Sequence, residues 1–138
     1  MKTLNTASSE TDCTEQSLLF QDLHRRKVVA DFSGGTLSSD GGALLLGQVD
    51  NNLGLTMALA DCFADYRNPL FVDHSVRELL AQRIFGLALG YEDINDHQRL
   101  RLDPLLATAC EKGDPLGTNR FNPADRGVAL AGASTLKL

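Results

Sequence analysis

The apolar and polar positions divide the chain into a polar start, one strand-like run and a series of helix-like segments. Residues 1–27 are rich in Ser, Thr, Glu and other polar types, and we interpret them as a flexible polar leader. Residues 28–32 form a β-branched, aromatic-ended run that is followed by Gly34 and Gly35. Such a run with glycines behind it predicts a short β-strand or hairpin near residues 28–37.

After this run, apolar spacing of three and four residues predicts helices. Ser39 or Asp40 is placed to cap a first helix that ends at Gly54. Its apolar positions are Leu46, Val49 and Leu53. Thr56 is placed to cap a short second helix, and Pro69 then interrupts the chain.

The strongest helix signal lies over residues 76–89. Ser75 and Glu78 form the capping-box pattern, in which each side chain accepts a hydrogen bond from the other residue's backbone N–H. Behind the box, apolar residues fall on one stripe, at Val76, Leu79, Leu80, Ile84, Leu87 and Ala88. A helix that is apolar on most sides is typical of a core, so we expect this one to be the central element.

The rest of the chain predicts shorter elements. We expect a helix over residues 93–102, capped by its first residue, and a new helix at Asp103, where Pro104 takes the first helical position. Residues 113–132 are rich in Gly, Pro and Asn, which predicts a loop. Residues 134–135 resemble a helix cap just before the sequence stops, which predicts truncation. The expected fold class is mainly α, with a short β element and a disordered leader.

Length and composition fit one soluble globular domain. The chain has 138 residues, of which 43% are hydrophobic and 22% are charged. Thirteen Lys and Arg against eighteen Asp and Glu give a net charge of −5, whereas small DNA-binding domains are usually basic. The three cysteines contain no C-x-x-C pair, which favours reduced thiols over disulfides or zinc. No stretch is long and apolar enough for a membrane span, so we expect a cytoplasmic protein.

Several groups of residues suggest chemistry, but each has a structural alternative that we favour. The glycine-rich residues 34–42 precede a helix but lack the P-loop pattern. Asp31 lies in an apolar strand, as the first metal-binding carboxylate of an RNase H-like nuclease does, yet helices follow where such a fold needs strands. Oxygen and imidazole groups cluster farther along, at Glu92, Asp93, Asp96, His97 and Asp103. Helix capping and helix-terminus charge already explain most of that cluster.

Six arginines are the candidate contacts for DNA phosphates. They are Arg77, Arg83, Arg99, Arg101, Arg120 and Arg126. Each phosphate contact would add to a salt-dependent affinity. The alternative is that these arginines form solvated faces and ion pairs with the more numerous acids.

Three segments of the sequence resemble those of a known family. They are Leu-Ser-Ser-Asp-Gly-Gly at 37–42, Arg-Ile-Phe-Gly-Leu-Ala-Leu-Gly-Tyr-Glu-Asp-Ile-Asn-Asp-His at 83–97, and Arg-Leu-Arg-Leu-Asp-Pro at 99–104. Together they are similar to the N-terminal part of bacterial insertion-sequence transposases of the IS1380 group, which carry a DDE-type catalytic domain. Residues 130–136 also resemble that family's approach to its catalytic core.

The resemblance implies a domain organisation and a set of motif residues. It implies a leader over residues 1–27, a helical N-terminal transposase module over residues 28–113, and a loop-rich connector over residues 114–138 that is cut before an RNase H-like catalytic domain. We expect the motif residues to be structural. They are Ser39, Asp40, Gly41, Gly42, Tyr91, Glu92, Asp93, Asn95, Asp96, His97, Asp103 and Pro104.

The resemblance also implies a function in DNA transposition. The family cleaves and joins DNA with two Asp and one Glu that bind Mg²⁺, and none of these acids maps onto this chain. We therefore expect no catalytic residue, no metal and no cofactor here, and no activity of the chain alone. The expected partners are transposon-end DNA and other transposase subunits, including self-association. The alternative is a protein–protein interaction module, or an inert truncated product, that does not bind DNA.

Overall fold

The computed structural model describes residues 18–23, 26–30, 38 and 40–137. These residues form a mainly helical structure with one β-hairpin, which confirms the predicted mainly α class with a short β element. None of the described helices is long and apolar enough to cross a membrane. The candidate carboxylate Asp31 and the predicted cap Ser39 lie outside the described residues, as do residues 1–17 of the predicted leader and residues 31–37 of the predicted β element.

The hairpin pairs strand β1, Leu18–Leu23, with strand β2, Arg26–Ala30, in antiparallel orientation. Leu19 pairs with Val29, and the register shifts between Phe20 and Leu23. The predicted strand therefore pairs with the segment before it, and β1 occupies part of the range that we assigned to the leader. The apolar LLFQDL segment supplies the partner that the β-branched β2 needs.

Helices α1, Ala43–Leu53, and α2, Leu55–Ala60, are joined by Gly54 at a φ of 66°. This left-handed conformation suits glycine and confirms the predicted end of α1. Asp40 does not cap α1 with its side chain, since the helix begins later with Gly42 at its N-cap. Thr56 is likewise not a cap: it lies inside α2, fully buried.

Helix α3, Val76–Ala88, begins with the predicted capping box. The Glu78 N–H donates to Ser75 Oγ at 3.2 Å, and the Ser75 N–H donates to Glu78 Oε2 at 2.8 Å. The helix packs against α2 and α5, which agrees with its central placement. Its buried face differs from the predicted stripe and consists of Leu79, Ala81, Gln82, Phe85 and Gly86. A polar residue and a glycine take inner positions there, so an apolar pattern could not reveal them.

The region predicted as one helix over 93–102 is a 3-10 turn, Ile94–Asp96, followed by the short helix α4, His97–Leu100. Helix α5, Pro104–Ala109, starts as predicted, with the Asp103 carboxylate accepting the Leu105 N–H at 2.8 Å. Further 3-10 turns lie at Pro69–Phe71 and Pro123–Asp125. A last helix, α6, spans Ala133–Leu136.

The core brings the end of the described chain onto the helices. Ten buried residues form the larger cluster: Ala43, Ala81, Phe85, Leu100, Leu106, Ala107, Ala109, Cys110, Ala129 and Leu130. A smaller cluster joins Leu79 to Ala131 and Leu136. The predicted loop thus ends in a buried segment, residues 129–133, that completes the core.

Candidate functional site

A polar cavity of about 280 Å³ lies between the Pro69–Phe71 turn, the end of α4 and the segment that leads to α6. Three arginines line it: Arg67, Arg101 and Arg120. Two acids and one histidine also line it: Asp73, Asp125 and His74. Two of the predicted DNA-contact arginines therefore meet at one place, together with a third that sequence reasoning missed.

Arg67 is held in a fixed orientation at the edge of this cavity. Its Nε and one terminal nitrogen donate to the two carboxylate oxygens of Asp65, at 2.8 and 2.6 Å. The same terminal nitrogen donates to the His74 carbonyl at 3.1 Å. The hydrogen bonds from Arg67 lower the pKa of Asp65 to about 2. The pair is exposed, so its main consequence is geometric: it orients the guanidinium.

Arg101 and Arg120 place buried nitrogen atoms beside the cavity. The Nε atoms of both side chains are buried and have no hydrogen-bond partner among the described residues. Arg120 contacts Asp73 Oδ1 and His74 Nε2 with its terminal nitrogens, each at 3.4 Å. The Arg101 carbonyl accepts the Leu130 N–H at 3.2 Å, which fixes the backbone at this wall of the cavity.

His74 lines the cavity, and Lys112 contacts it from the side. Lys112 Nζ donates to the Asp73 carbonyl at 2.5 Å and to Glu78 Oε2 at 2.9 Å, and it lies 3.2 Å from His74 Nδ1. His74 is only 6% exposed. Burial, followed by the positive charges of Lys112 and Arg120, lowers the pKa of His74 to about 4. The imidazole is therefore neutral at pH 7.

A second buried network docks the C-terminal segment onto α3. Gln82 Oε1 accepts the Ala131 N–H at 2.9 Å, and Gln82 Nε2 donates to the Ala131 carbonyl at 2.7 Å. Gln82 Nε2 also lies 3.1 Å from His97 Nδ1. Since the amide orientation is set by Ala131, His97 Nδ1 acts as the acceptor. Burial, with a smaller effect of Arg83, lowers the pKa of His97.

Two further predicted DNA-contact arginines, which do not line the cavity, bond within the chain. Arg77 pairs with Glu111, lies 3.8 Å from Asp50 Oδ2, and is hydrogen-bonded to Thr56 Oγ1 at 3.3 Å. Arg83 donates to the Glu92 carbonyl at 2.8 Å and lies against His97. Both guanidinium groups thereby connect separate elements of the fold.

The remaining two predicted arginines are at the surface. Arg99 on α4 and Arg126 after the Pro123–Asp125 turn are exposed. Neither has a side-chain hydrogen bond or ion pair to another described residue, in contrast to Arg77 and Arg83. They are the predicted contacts with the greatest freedom to meet a ligand.

The residues of the three family-like segments connect parts of the chain that lie next to each other in the fold. The Tyr91 hydroxyl donates to Asp40 Oδ2 at 2.8 Å, and the Ser38 hydroxyl donates to Asp103 Oδ2 at 3.1 Å. Asp93 caps the Ile94–Asp96 turn, and Pro104 occupies the first turn of α5. His97 is fully buried. The exposed positions of the set are Gly41, Gly42, Glu92, Asp93 and Asn95, and Asp96 is half-buried.

The described residues do not fit the Mg²⁺ ion that the family resemblance implies. Within residues 18–23, 26–30 and 40–137, no three His, Cys, Asp or Glu side chains come together as a metal site would require. The cluster from Glu92 to Asp103 is divided, because Asp93 and Asp103 cap two different elements. No step of a metal-dependent reaction can be placed on these residues.

Arg67, His74 and Gln82 are the important residues that sequence reasoning missed. Arg67 carried a local signal, since Asp65 precedes it by two residues in the loop before Pro69. Gln82 carried a weaker one, as a polar residue three positions after Leu79 in an apolar helix. The cavity itself had no local signal, because Arg67, Arg101 and Arg120 are far apart in the sequence.

Comparison with known proteins identifies the family. The model of the family Transposase DDE domain group 1 matches residues 20–137. The chain therefore belongs to this family of transposases, and its role is in DNA transposition. No curated protein and no solved structure matches the chain.

Proposed function

We propose that this chain serves transposition by binding the DNA at the ends of its element and by contacting other transposase subunits. The family match over residues 20–137 is the observation that carries this proposal. Within the family, the proposal assigns the chain to the IS1380 group. The long segment at residues 83–97, which ends in Gly-Tyr-Glu-Asp-Ile-Asn-Asp-His, supports that assignment.

The arrangement of the arginines supports DNA contact despite the net charge of −5. A negative chain attracts DNA only through local groups of positive charge. The described residues offer such groups at the three-arginine cavity and at the exposed side chains of Arg99 and Arg126. These five arginines are the proposed phosphate contacts, whereas Arg77 and Arg83 act within the fold.

Exposed apolar side chains on α1 support the proposed contact with other subunits. Leu45, Val49 and Leu53 are spaced four residues apart, so they lie on one face of the helix, and they are 56%, 52% and 73% exposed. Large apolar groups grouped on a surface are typical of interaction sites. The proposal assigns this face of α1 to subunit assembly.

The described carboxylates support a role in recognition and assembly rather than in DNA cleavage. Asp93 and Asp103 cap elements of the fold, and Asp50 accepts the Thr56 N–H at 2.8 Å. Their oxygens thus stabilise local structure. In this proposal the chemical steps of transposition are carried out by the two Asp and one Glu of the family, and not by the described carboxylates of this chain.

Fluorescence anisotropy with the DNA that flanks the gene for this chain tests the proposal. We expect the chain to bind a labelled duplex of the terminal inverted repeat more tightly than a shuffled duplex of the same length and base composition. Equal affinity for both duplexes would contradict end recognition. Absence of binding to either duplex at low salt would refute the DNA role and leave the interaction-module alternative.

A further inference from the structure

The cavity lined by Arg67, Arg101 and Arg120 has more hydrogen-bond donors than acceptors. We propose that it is a binding site for a phosphate group. The inference deepens the proposed function, on whose cavity arginines it rests, and names a site that can be tested without DNA, so that its failure is distinguishable from the failure of the DNA role.

The first support is the pair of buried Nε atoms on Arg101 and Arg120, which have no partner among the described residues. A buried donor on a charged group that lacks an acceptor costs about 1–3 kcal/mol or more. Buried polar groups in native proteins nearly always have a partner, so such an atom indicates a ligand or a water. Two of them beside one cavity point to a ligand with several acceptor oxygens.

The second support comes from His74, whose two ring nitrogens both face donors. Lys112 Nζ lies 3.2 Å from Nδ1, and a terminal nitrogen of Arg120 lies 3.4 Å from Nε2. A neutral imidazole has only one acceptor nitrogen. If Nδ1 accepts from the nearer Lys112, the hydrogen on Nε2 points towards Arg120. An anion oxygen beside this pair of nitrogens, at hydrogen-bond distance from each, would accept from both groups.

Free donors and size agree with a phosphate. Arg67 is already paired with Asp65, so Arg101 and Arg120 are the lining guanidinium groups with donors left for an anion. A water takes up about 30 Å³ in the liquid, so a cavity of about 280 Å³ holds a tetrahedral oxyanion together with several waters. Guanidinium groups bind phosphate oxygens through directed, charge-assisted hydrogen bonds, and a phosphate accepts from several directions at once.

The phosphate has two chemical sources. It is either a backbone phosphate of bound DNA or the phosphate of a free anion or nucleotide. Both present the same oxygens to Arg101 and Arg120. The first source would make the cavity part of the proposed DNA contact, and the second would stand even if the chain bound no DNA.

Nuclear magnetic resonance of the arginine Nε–H groups tests the site directly. The full chain is titrated with inorganic phosphate at constant ionic strength, with chloride as the replaced anion. We expect the Nε–H signals of Arg101 and Arg120 to shift and saturate, while those of Arg77 and Arg83, which bond within the fold, stay in place. Shifts that do not saturate, or that are equal at all four arginines, would indicate general electrostatic screening instead of a binding site. Either result would overturn the proposal.

Variants with matched charge provide the control. Arg101→Gln and Lys137→Gln remove the same charge, but only the first alters the cavity, because Lys137 is exposed and does not line it. Arg120→Gln and Lys27→Gln form a second matched pair. Loss of one charge-assisted hydrogen bond predicts at least a tenfold weaker phosphate affinity for the cavity variants, and less than a twofold change for the surface variants. Equal losses within each pair would overturn the proposal.

Arg101→Lys keeps the positive charge, so it provides a second test if Arg101→Gln does not fold. Lysine lacks the Nε donor and the planar fork, so we again expect at least a tenfold loss of phosphate affinity. Unchanged affinity would overturn the assigned role of the Arg101 Nε. Competition then identifies the source: displacement of phosphate by a short duplex indicates a backbone phosphate, whereas phosphate binding without displacement indicates a free anion.

Discussion

The Gln82→Met variant tests how the C-terminal segment is held on α3. Gln82 is 1% exposed, and its amide bonds both backbone groups of Ala131 as well as His97 Nδ1. Methionine has a similar volume, so the substitution leaves no large cavity. It does leave the Ala131 N–H, the Ala131 carbonyl and His97 Nδ1 buried without this partner.

The expected loss of stability follows from these three groups. A buried polar group that loses its partner costs about 1–3 kcal/mol. Because relaxation and shared strain make the three costs less than additive, we expect the free energy of unfolding to fall by about 3 kcal/mol. That is a large part of the roughly 5–15 kcal/mol that stabilises an ordinary domain. A domain of this length would lose roughly 10 °C in Tm.

Urea denaturation followed by circular dichroism measures this difference. Gln98→Met is the matched control, because Gln98 is exposed on α4, and we expect it to change the free energy of unfolding by less than about 0.5 kcal/mol. If Gln82→Met were as stable as Gln98→Met, the reasoning that Gln82 docks the segment would be refuted.

Three further predictions concern His74, Gly86 and the exposed face of α1. The pKa of His74 is about 4 in the folded chain, against 6.5 for a histidine without this environment. Between pH 4 and pH 6.5 the unfolded state therefore binds more protons than the folded state. Stability should therefore fall by about 3 kcal/mol as the pH drops from 6.5 to 4, at 1.36 kcal/mol per pKa unit, and urea titrations of His74→Asn should show a much smaller fall. Gly86→Ala places a Cβ 2.9 Å from His97 Cε1, and this crowding should cost about 1–3 kcal/mol in thermal or urea unfolding. Gly42→Ala meets no atom within 4 Å, and equal stability of the two glycine variants would contradict the close packing. Val49→Lys puts a charge on the exposed face of α1, so analytical ultracentrifugation should show weaker self-association than for the unaltered chain. A clean monomer at high concentration in both samples would contradict the proposed subunit contact.

The elements that could be predicted from the sequence depend on short local signals. The capping box of Ser75 and Glu78 lies within four residues and marks the start of α3. Asp103 followed by Pro104 marks α5 in the same way. Gly54 marks the end of α1, because the left-handed backbone conformation that ends the helix is a property of this one residue. Each signal acts through backbone hydrogen bonds or φ of adjacent residues, so no knowledge of the tertiary structure was needed.

The features that could not be predicted depend on distant partners. The inner face of α3 contains Gln82 because Ala131, forty-nine residues later, supplies its backbone partners. Gly86 is buried because His97 packs onto it. The cavity needs Arg67, Arg101 and Arg120 to be brought together by the fold. Strand pairing of β2 with β1 was missed because the polar composition before residue 18 hid the change of pattern at Leu18.

The salt dependence of DNA binding tests the central claim most directly. Anisotropy titrations of the terminal duplex are repeated over a salt series with the unaltered chain and with the Arg101→Gln, Arg120→Gln double variant. We predict that the logarithm of affinity falls linearly with the logarithm of salt concentration, and that the double variant loses about one phosphate contact, which makes the slope shallower by about 0.9. A flat response of the unaltered chain, even at low salt, would contradict the claim that this transposase chain contacts DNA phosphates.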